Sequence, residues 1–193
     1  MNIRYPKLVI DLPEKLFFTS DTHFGHANII TFCNRPFADV HEMNKRMTDN
    51  WNEMVPHDGL VIHTGDMAMG DPHIYRQHLN GEIILVLGNH DKIRFYKEFR
   101  AIHACLILDV KDWKHIKGHS ICANHYPMLS WPGKFHVHGH HHEQVTAYHS
   151  HRYNIGVDTN NFAPISYLEL MRKFSLHQIA LHEHERMLQE LQK

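Results

Sequence analysis

The sequence predicts an α/β protein. Three observations carry the prediction. In the N-terminal half, strand-length apolar runs alternate with helical patterns, as βαβ units do. From Cys105 onward, short strand signals crowd together, which points to a second, more antiparallel sheet packed on the first. The strongest strand runs end in compact polar motifs carrying Asp, Asn or His, where loops of an α/β sheet converge on one crevice.

Lys15 to Ser20 (KLFFTS) is apolar and β-prone, and it ends at Asp21-Thr22-His23. A short helix is expected from His26 to about Cys33, stopped by Asn34-Arg35-Pro36. Asp39 then caps a longer helix, with Glu42 three residues on as in a capping box. Met43, Met47, Trp51 and Met54 recur on one face of that helix and read as core; Pro56 to Gly59 ends it. Leu60 to Thr64 (LVIHT) is a buried strand ending at Gly65-Asp66. Pro72 to Leu79 is a short helix with proline in its first turn. Glu82 to Leu87 (EIILVL) is the strongest strand signal and ends at Gly88-Asn89-His90-Asp91. Lys92 to Arg100 is helix-like. Strands are then expected at Cys105 to Val110, Trp113 to Ile116, Ser120 to Asn124, Phe135 to Val137 and Arg152 to Val157. Ser166 with Glu169 forms a second capping box. Ser175 to Lys193 reads as a last helix whose modest apolar face could cover the sheet or pair two subunits as a homo-oligomer.

A chain of 193 residues, 42% apolar and 21% charged, makes one domain over 1–193, with 166–193 as a C-terminal helical extension. Its net charge of -1 gives no general attraction to long nucleic acid or an anionic membrane. No stretch approaches the roughly 20 apolar residues that span a bilayer. Met1 to Asp11, charged at Arg4, Lys7 and Asp11, lacks the apolar centre of a signal peptide. Cys33, Cys105 and Cys122 form no C-x-x-C pair, and buried free thiols in a reducing cytoplasm fit them.

Histidine is the outlier, at 22 residues, so spacing and not number must carry any argument from it. Ligand-type residues recur at strand ends: Asp21 and His23, Asp66, Asn89 with His90 and Asp91, His125, then His140 and His142. Carboxylate, imidazole and amide oxygen suit manganese, iron or zinc, and no cysteine in the set marks a structural zinc knot. A lone carboxylate such as Asp66 could bridge two ions, one oxygen to each. Two ions roughly 3.5–4 Å apart clamp the attacking and leaving oxygens of an in-line displacement at phosphorus.

Asp21-x-His23, Gly65-Asp66, Gly88-Asn89-His90-Asp91, His125 and Gly139-His140-x-His142 follow one another as in the calcineurin-like metallophosphoesterases, which the chain resembles from about Leu16 to Val157. Ser20 to His26, with Asn34-Arg35-Pro36-Phe37, is similar to a small bacterial and phage branch of that family. The resemblance implies a two-sheet α/β/β/α sandwich. It implies two divalent ions, manganese first, with iron, zinc or nickel as alternatives. Asp21, His23 and His142 would hold one ion; Asn89, His125 and His140 would hold the other; Asp66 would bridge them. A hydroxide between the ions would be the nucleophile. His90 would stabilise the phosphoryl oxygens or protonate the leaving group, oriented by Asp91.

Gly139 alone precedes the histidine cluster, which makes His141 the spacer and His138 a strand-end residue. His119 is a rival to His125, but it precedes its strand where the other ligands follow theirs. His26 and Arg35 are candidate substrate contacts, with an ordinary helix-start histidine and loop arginine as the alternatives. Lys92, Arg94, His149, His151, His182 and His184 read as surface. The expected function is hydrolysis of a phosphate mono- or diester, with a small phosphoester or nucleotide as substrate. The alternatives are a catalytically weak module of the same fold, serving protein interaction, and a metal-binding protein. Metallo-β-lactamase-like hydrolases need His-x-His-x-Asp-His, and His138-Gly139-His140-His141-His142-Glu143 departs from it.

Overall fold

The computed structural model describes residues 5–92, 94, 99–102, 105–111, 119–143 and 151–175. The strands are β1 (Lys7–Ile10), β2 (Leu16–Thr19), β3 (Leu60–His63), β4 (Glu82–Val86), β5 (Arg100–Ile102), β6 (Leu106–Val110), β7 (His119–Ala123), β8 (Phe135–His138), β9 (Arg152–Asn154) and β10 (Ile165–Ser166). The helices are α1 (Ala27–Phe32), α2 (Val40–Met54) and α3 (His73–Arg76), and residues 167–175 are also helical. One five-stranded sheet runs β10-β2-β3-β4-β5 and the other β1-β6-β7-β8-β9.

Alternation within each strand builds two layers of core. Leu16 and Phe18 of β2, Ile62 of β3, and Ile84 and Val86 of β4 face Leu106, Leu108, Val110, Ile121, Ala123, Phe135 and Val137 of the other sheet in one cluster. Phe17, Val61, Ile83 and Leu85 point the opposite way, onto Met43, Met47 and Trp51 of α2. Met43, Met47 and Trp51 of the stripe are therefore core, as their spacing predicts; Met54, in the last turn, is 43% exposed instead. Trp51 is 1% exposed and its Nε1 donates to Asn80 O at 3.0 Å. Truncating it to alanine costs about 3–5 kcal/mol. Asp39 caps α2 by accepting from the amides of His41 and Glu42 at 2.8 and 2.9 Å. Glu42 reaches back to the Ala38 amide, one residue earlier than the usual target of the box.

Three expectations change. The second sheet is not mostly antiparallel: only β6 and β7 pair that way, and β1-β6, β7-β8 and β8-β9 are parallel. The connections after β7 and β8, residues 124–134 and 139–151, are long enough to return each strand in the same direction. They are not the tight turns that the close strand spacing suggests. β1, β5 and β10 are short strands that no strong apolar run announces. β10 and β1 sit at sheet edges, where pairing needs little burial. Tyr167, Leu170, Met171 and Phe174 insert into the inter-sheet core, so this helix does not lie as an outer layer on the second sheet. That outer face meets Tyr5, Met128 and Trp131. Most of the expected helix from Lys92 to Arg100, the strand from Trp113 to Ile116 and the last helix lie outside the described residues. No helix among the described residues is long and apolar enough to cross a membrane.

The outer face of β8 buries His136 and His138, and β3 buries His63, all at 3% exposure or less. Burial pushes the imidazoles of His63 and His136 down to about 4 and that of His138 down to about 3. The folded chain thus holds them neutral while the unfolded chain takes up protons near the ordinary histidine value. Stability is full above about 6.5 and is lost as pH falls from there toward about 4. Denaturant unfolding measured across that range should show the midpoint falling steadily with acid.

Candidate metal centre

The site forms where the C-terminal ends of β2, β3, β4, β7 and β8 meet. Its backbone is unusual. Of the seven non-glycine residues with positive φ among the described residues, four are in these loops: Asp21 (φ 55), His23 (φ 49), Asp66 (φ 56) and His140 (φ 68). Such residues cost about 1–3 kcal/mol each unless their surroundings hold them. Here the loops hold one another. Asp21 N donates to Gly65 O at 2.9 Å, His23 N to Asp66 O at 3.0 Å, and Phe24 N to Met67 O at 3.0 Å. Gly139 N donates to His125 O at 3.0 Å, and His140 N donates to the Asp21 carboxylate at 3.0 Å. Gly139 is required by close approach: a Cβ there would overlap Ser20 Oγ and Asp21 Oδ2.

Two buried devices tie these loops further. Gly65 N–H donates to His63 Nδ1 at 3.1 Å, so Nε2 carries the proton and donates to Thr22 Oγ1 at 3.0 Å. Thr22 Oγ1 in turn donates to Met67 O at 2.7 Å. Asp91 accepts from the amides of Asp66 (2.8 Å), Met67 (3.0 Å) and Gly88 (2.8 Å). Its carboxylate thus anchors the loop after β4 to the loop after β3.

The side chains then converge. His125 is 1% exposed and its Nδ1 donates to Thr64 O at 2.9 Å, since a carbonyl can only accept. Its Nε2 lone pair therefore faces Asn89 Oδ1 at 2.9 Å and Asp66 Oδ2 at 3.6 Å. His23 Nε2 is buried without a hydrogen-bond partner and lies 3.7 Å from the same Asp66 oxygen. Asp66 Oδ1 is occupied by the His90 amide at 2.8 Å. So Oδ2 stands between two imidazoles, and Oδ1 accepts the His90 amide. His142 donates Nδ1–H to Asp158 Oδ2 at 2.7 Å, and its ring lies 5.2 Å from that of His23.

Two groups of donors have atoms within 4.8 Å of one another: Asp21, His23 and His142, and Asp21, Asp66 and His125. Asp21 belongs to both groups, and His23 Nε2 in the first is left without a hydrogen bond, a gap that a cation would fill. The electrostatics agree. Burial pushes the Asp21 carboxyl up to about 6, against the pull of His125 and His142, and pushes His23 down to about 2. A cation placed there would favour the forms that bind it. His140 is outside both groups: its ring lies 5.1 Å from His125 and 4.7 Å from Tyr126. Cys33 forms a further group with His142 and Asp158, but Arg35 already grips that carboxylate.

His90 is exposed at the mouth, its ring 5.6 Å from His23. His26 is half-buried, with Nδ1 3.3 Å from His23 Nδ1. His119 is at the far end of β7, stacked on Tyr167 at 5.8 Å, away from the ligand set. Arg35 is a correction. It is buried, and its donors reach Asp158 Oδ1 (2.8 Å), Asp158 Oδ2 (2.9 Å), Asp21 O (2.8 Å), Thr22 O (3.1 Å) and Met43 Sδ (3.4 Å). All five N–H groups are used, so none is left for a substrate phosphate.

Asp158 is the residue that sequence reasoning missed. Burial opposes its ionisation, yet the bonds from His142 and Arg35 hold its carboxyl below the usual range. The same bond raises His142, against burial. A signal existed: the expected strand from Arg152 to Val157 ends at Asp158-Thr159-Asn160, the same strand-then-polar pattern as the other blocks.

Asp158→Ala should weaken metal binding by about 10–100-fold, read by calorimetric titration with manganese, because His142 loses its fixed orientation. Arg35→Ala should cost about 3–5 kcal/mol in denaturant unfolding, because it removes the cation from a buried carboxylate and leaves the carbonyls of Asp21 and Thr22 without their donor.

No family model matches the chain. It is 36% identical over 178 residues to the uncharacterized protein MJ1445 of Methanocaldococcus jannaschii, a match spanning 83% of this chain and 90% of that one. Among solved structures it is similar to the protein of unknown function AQ665 from Aquifex aeolicus, with TM-score 0.65, 27% identity, and 81% and 97% of the two chains covered. A novel archaeal phosphodiesterase aligns at TM-score 0.44 and 20% identity over 73% of this chain and 81% of its own. On its sequence identity and mutual coverage, the chain belongs to the family of the uncharacterized Methanocaldococcus protein MJ1445.

Proposed function

We propose that this protein is a phosphoesterase of the calcineurin-like type that hydrolyses a phosphate mono- or diester at a pair of divalent ions. One observation carries the reading: the Nε2 atoms of His23 and His125 lie 3.7 and 3.6 Å from one oxygen of Asp66, and that of His23 is buried without a hydrogen-bond partner. On one side lie Asp21 and His142; on the other, Asn89 and, through its neighbour His125, His140. Asp21, His23 and His142 would hold one ion and Asn89, His125 and His140 the other, with Asp66 between them. Oxygen and imidazole donors suit manganese best, with iron, zinc or nickel able to replace it. When bound, the ions supply an ionised water as nucleophile and neutralise charge on the phosphoryl group.

The chain's own residues do the rest. Asp158 and Arg35 hold the His142 ring so that Nε2 points inward. Thr64 O does the same for His125. Such outward hydrogen bonds fix both tautomer and direction. His90 is pinned by its own amide on Asp66, which leaves its imidazole at the mouth to hand a proton to the leaving oxygen. Ionic strength should matter little, because the net charge is near zero.

The purified protein should hydrolyse bis(p-nitrophenyl) phosphate or p-nitrophenyl phosphate after chelation only when manganese or a similar ion is returned. Asp66→Ala should abolish that turnover together with tight binding of two ions; full activity with unchanged metal content would remove the mechanism. His90→Gln should lower turnover of alkyl esters by about 10²–10⁴-fold and of nitrophenyl esters much less, because a good leaving group needs no acid.

A further inference from the structure

The ligand set says how phosphorus is held but not what the phosphate is attached to. Tyr126 bears on that. It directly follows His125, and its amide is fixed by Asn124 Oδ1 at 2.8 Å. Its ring packs against two histidines of the centre, 4.9 Å from His125 at an interplanar angle of 78°, and 4.7 Å from His140 at 59°. Yet the residue is 47% exposed. An aromatic side chain locked on one side and open on the other is a surface that pays its ordering entropy in advance. Across the mouth, Phe32 is 73% exposed and stands edge-on to His26 at 6.3 Å. Among the described residues, Arg35 is an arginine whose charge reaches His23, His26 and His142, and its donors are all committed. Among the described residues the rim therefore offers the flat faces of Tyr126 and Phe32, and Arg35 has no donor free to clamp a second phosphate.

We infer that Tyr126 is a stacking platform, and that the ester taken by this site carries a planar aromatic group, as a nucleoside or aryl ester does. This rests on the phosphoesterase reading and names the side of the substrate that reading leaves open. Every base or aryl ring has a flat face, so stacking on one tyrosine selects planarity without selecting a particular base. Tyr126 acts here as a specificity-determining residue and touches no reacting atom.

Phosphonates in which a CH2 group replaces the bridging ester oxygen mimic each ester and have no P–O bond to the leaving group, so binding can be read without turnover. Calorimetry on the manganese-loaded protein would compare the methyl, cyclohexyl, phenyl and adenosine 5′ ester mimics. The phenyl ester should bind about tenfold more tightly than the cyclohexyl ester, within the range that base–aromatic stacking supplies. Tyr126→Phe should keep that ratio. Tyr126→Leu should bring it to about one, with manganese content and methyl-ester affinity unchanged. An adenosine ester tighter than the phenyl ester assigns a nucleoside; equal binding assigns a simple aryl group. If the methyl ester binds but the phenyl-to-cyclohexyl ratio is the same in Tyr126→Leu as in the parent, the platform is wrong and the phosphoesterase reading stands. If no ester binds to protein that holds its metal, both are wrong.

Discussion

The strained backbone of the strand-end loops sets the geometry on which the centre depends. Asp21, His23, Asp66 and His140 each carry a side chain at a positive φ that such residues rarely adopt. No one of them could hold that conformation alone. The 21–24 and 65–69 loops are laced by backbone bonds, Asp91 clamps the loop after β4 onto them, and Asp21 receives the amide of His140 from the other sheet. The strain is thus shared between two sheets that also share one apolar core. A centre built this way is preorganised: its donors point inward because the backbone leaves them nowhere else to go.

The burial that makes the centre rigid also makes it unstable as a set of charges. A carboxylate at 1% exposure and an imidazole at 3% exposure are both pushed toward neutrality. The chain nonetheless spends its hydrogen-bond donors on the outer atoms, through Thr64 O on His125 and Asp158 on His142, and leaves the inner lone pairs bare. That distribution is costly for a purely structural cluster and natural for one that receives cations. The Arg35–Asp158 pair belongs to the same logic. It is a bidentate ion pair kept dry, so its direction is fixed, and it passes that direction to His142.

Much of this was legible in the sequence because it is local. The capping aspartate of α2, the Met43–Met47–Trp51 stripe and the polar motif at each strand end are written within a few residues of one another. The site residues Asp21, His23, Asp66, Asn89, His125 and His142 are brought into one crevice, and His119 is kept out of it by the strand direction. What was not legible is relational. Arg35 and Asp158 are separated by 123 positions, so nothing in either neighbourhood says that the arginine is sealed. Which oxygen of Asp66 faces inward depends on the His90 amide, and the use of Asp91 depends on three amides from two loops. The parallel order of the second sheet depends on where the long connections travel, which apolar periodicity does not encode. The edge strands β1 and β10 are too short to announce themselves.

The central claim is that two cations would sit on either side of Asp66. Crystals soaked in manganese and measured at its absorption edge test it directly. The account predicts two anomalous peaks roughly 3.5–4 Å apart, one among Asp21, His23 and His142 and one among Asn89, His125 and His140, with Asp66 between them. A single peak, or peaks elsewhere with this cluster empty, would contradict it.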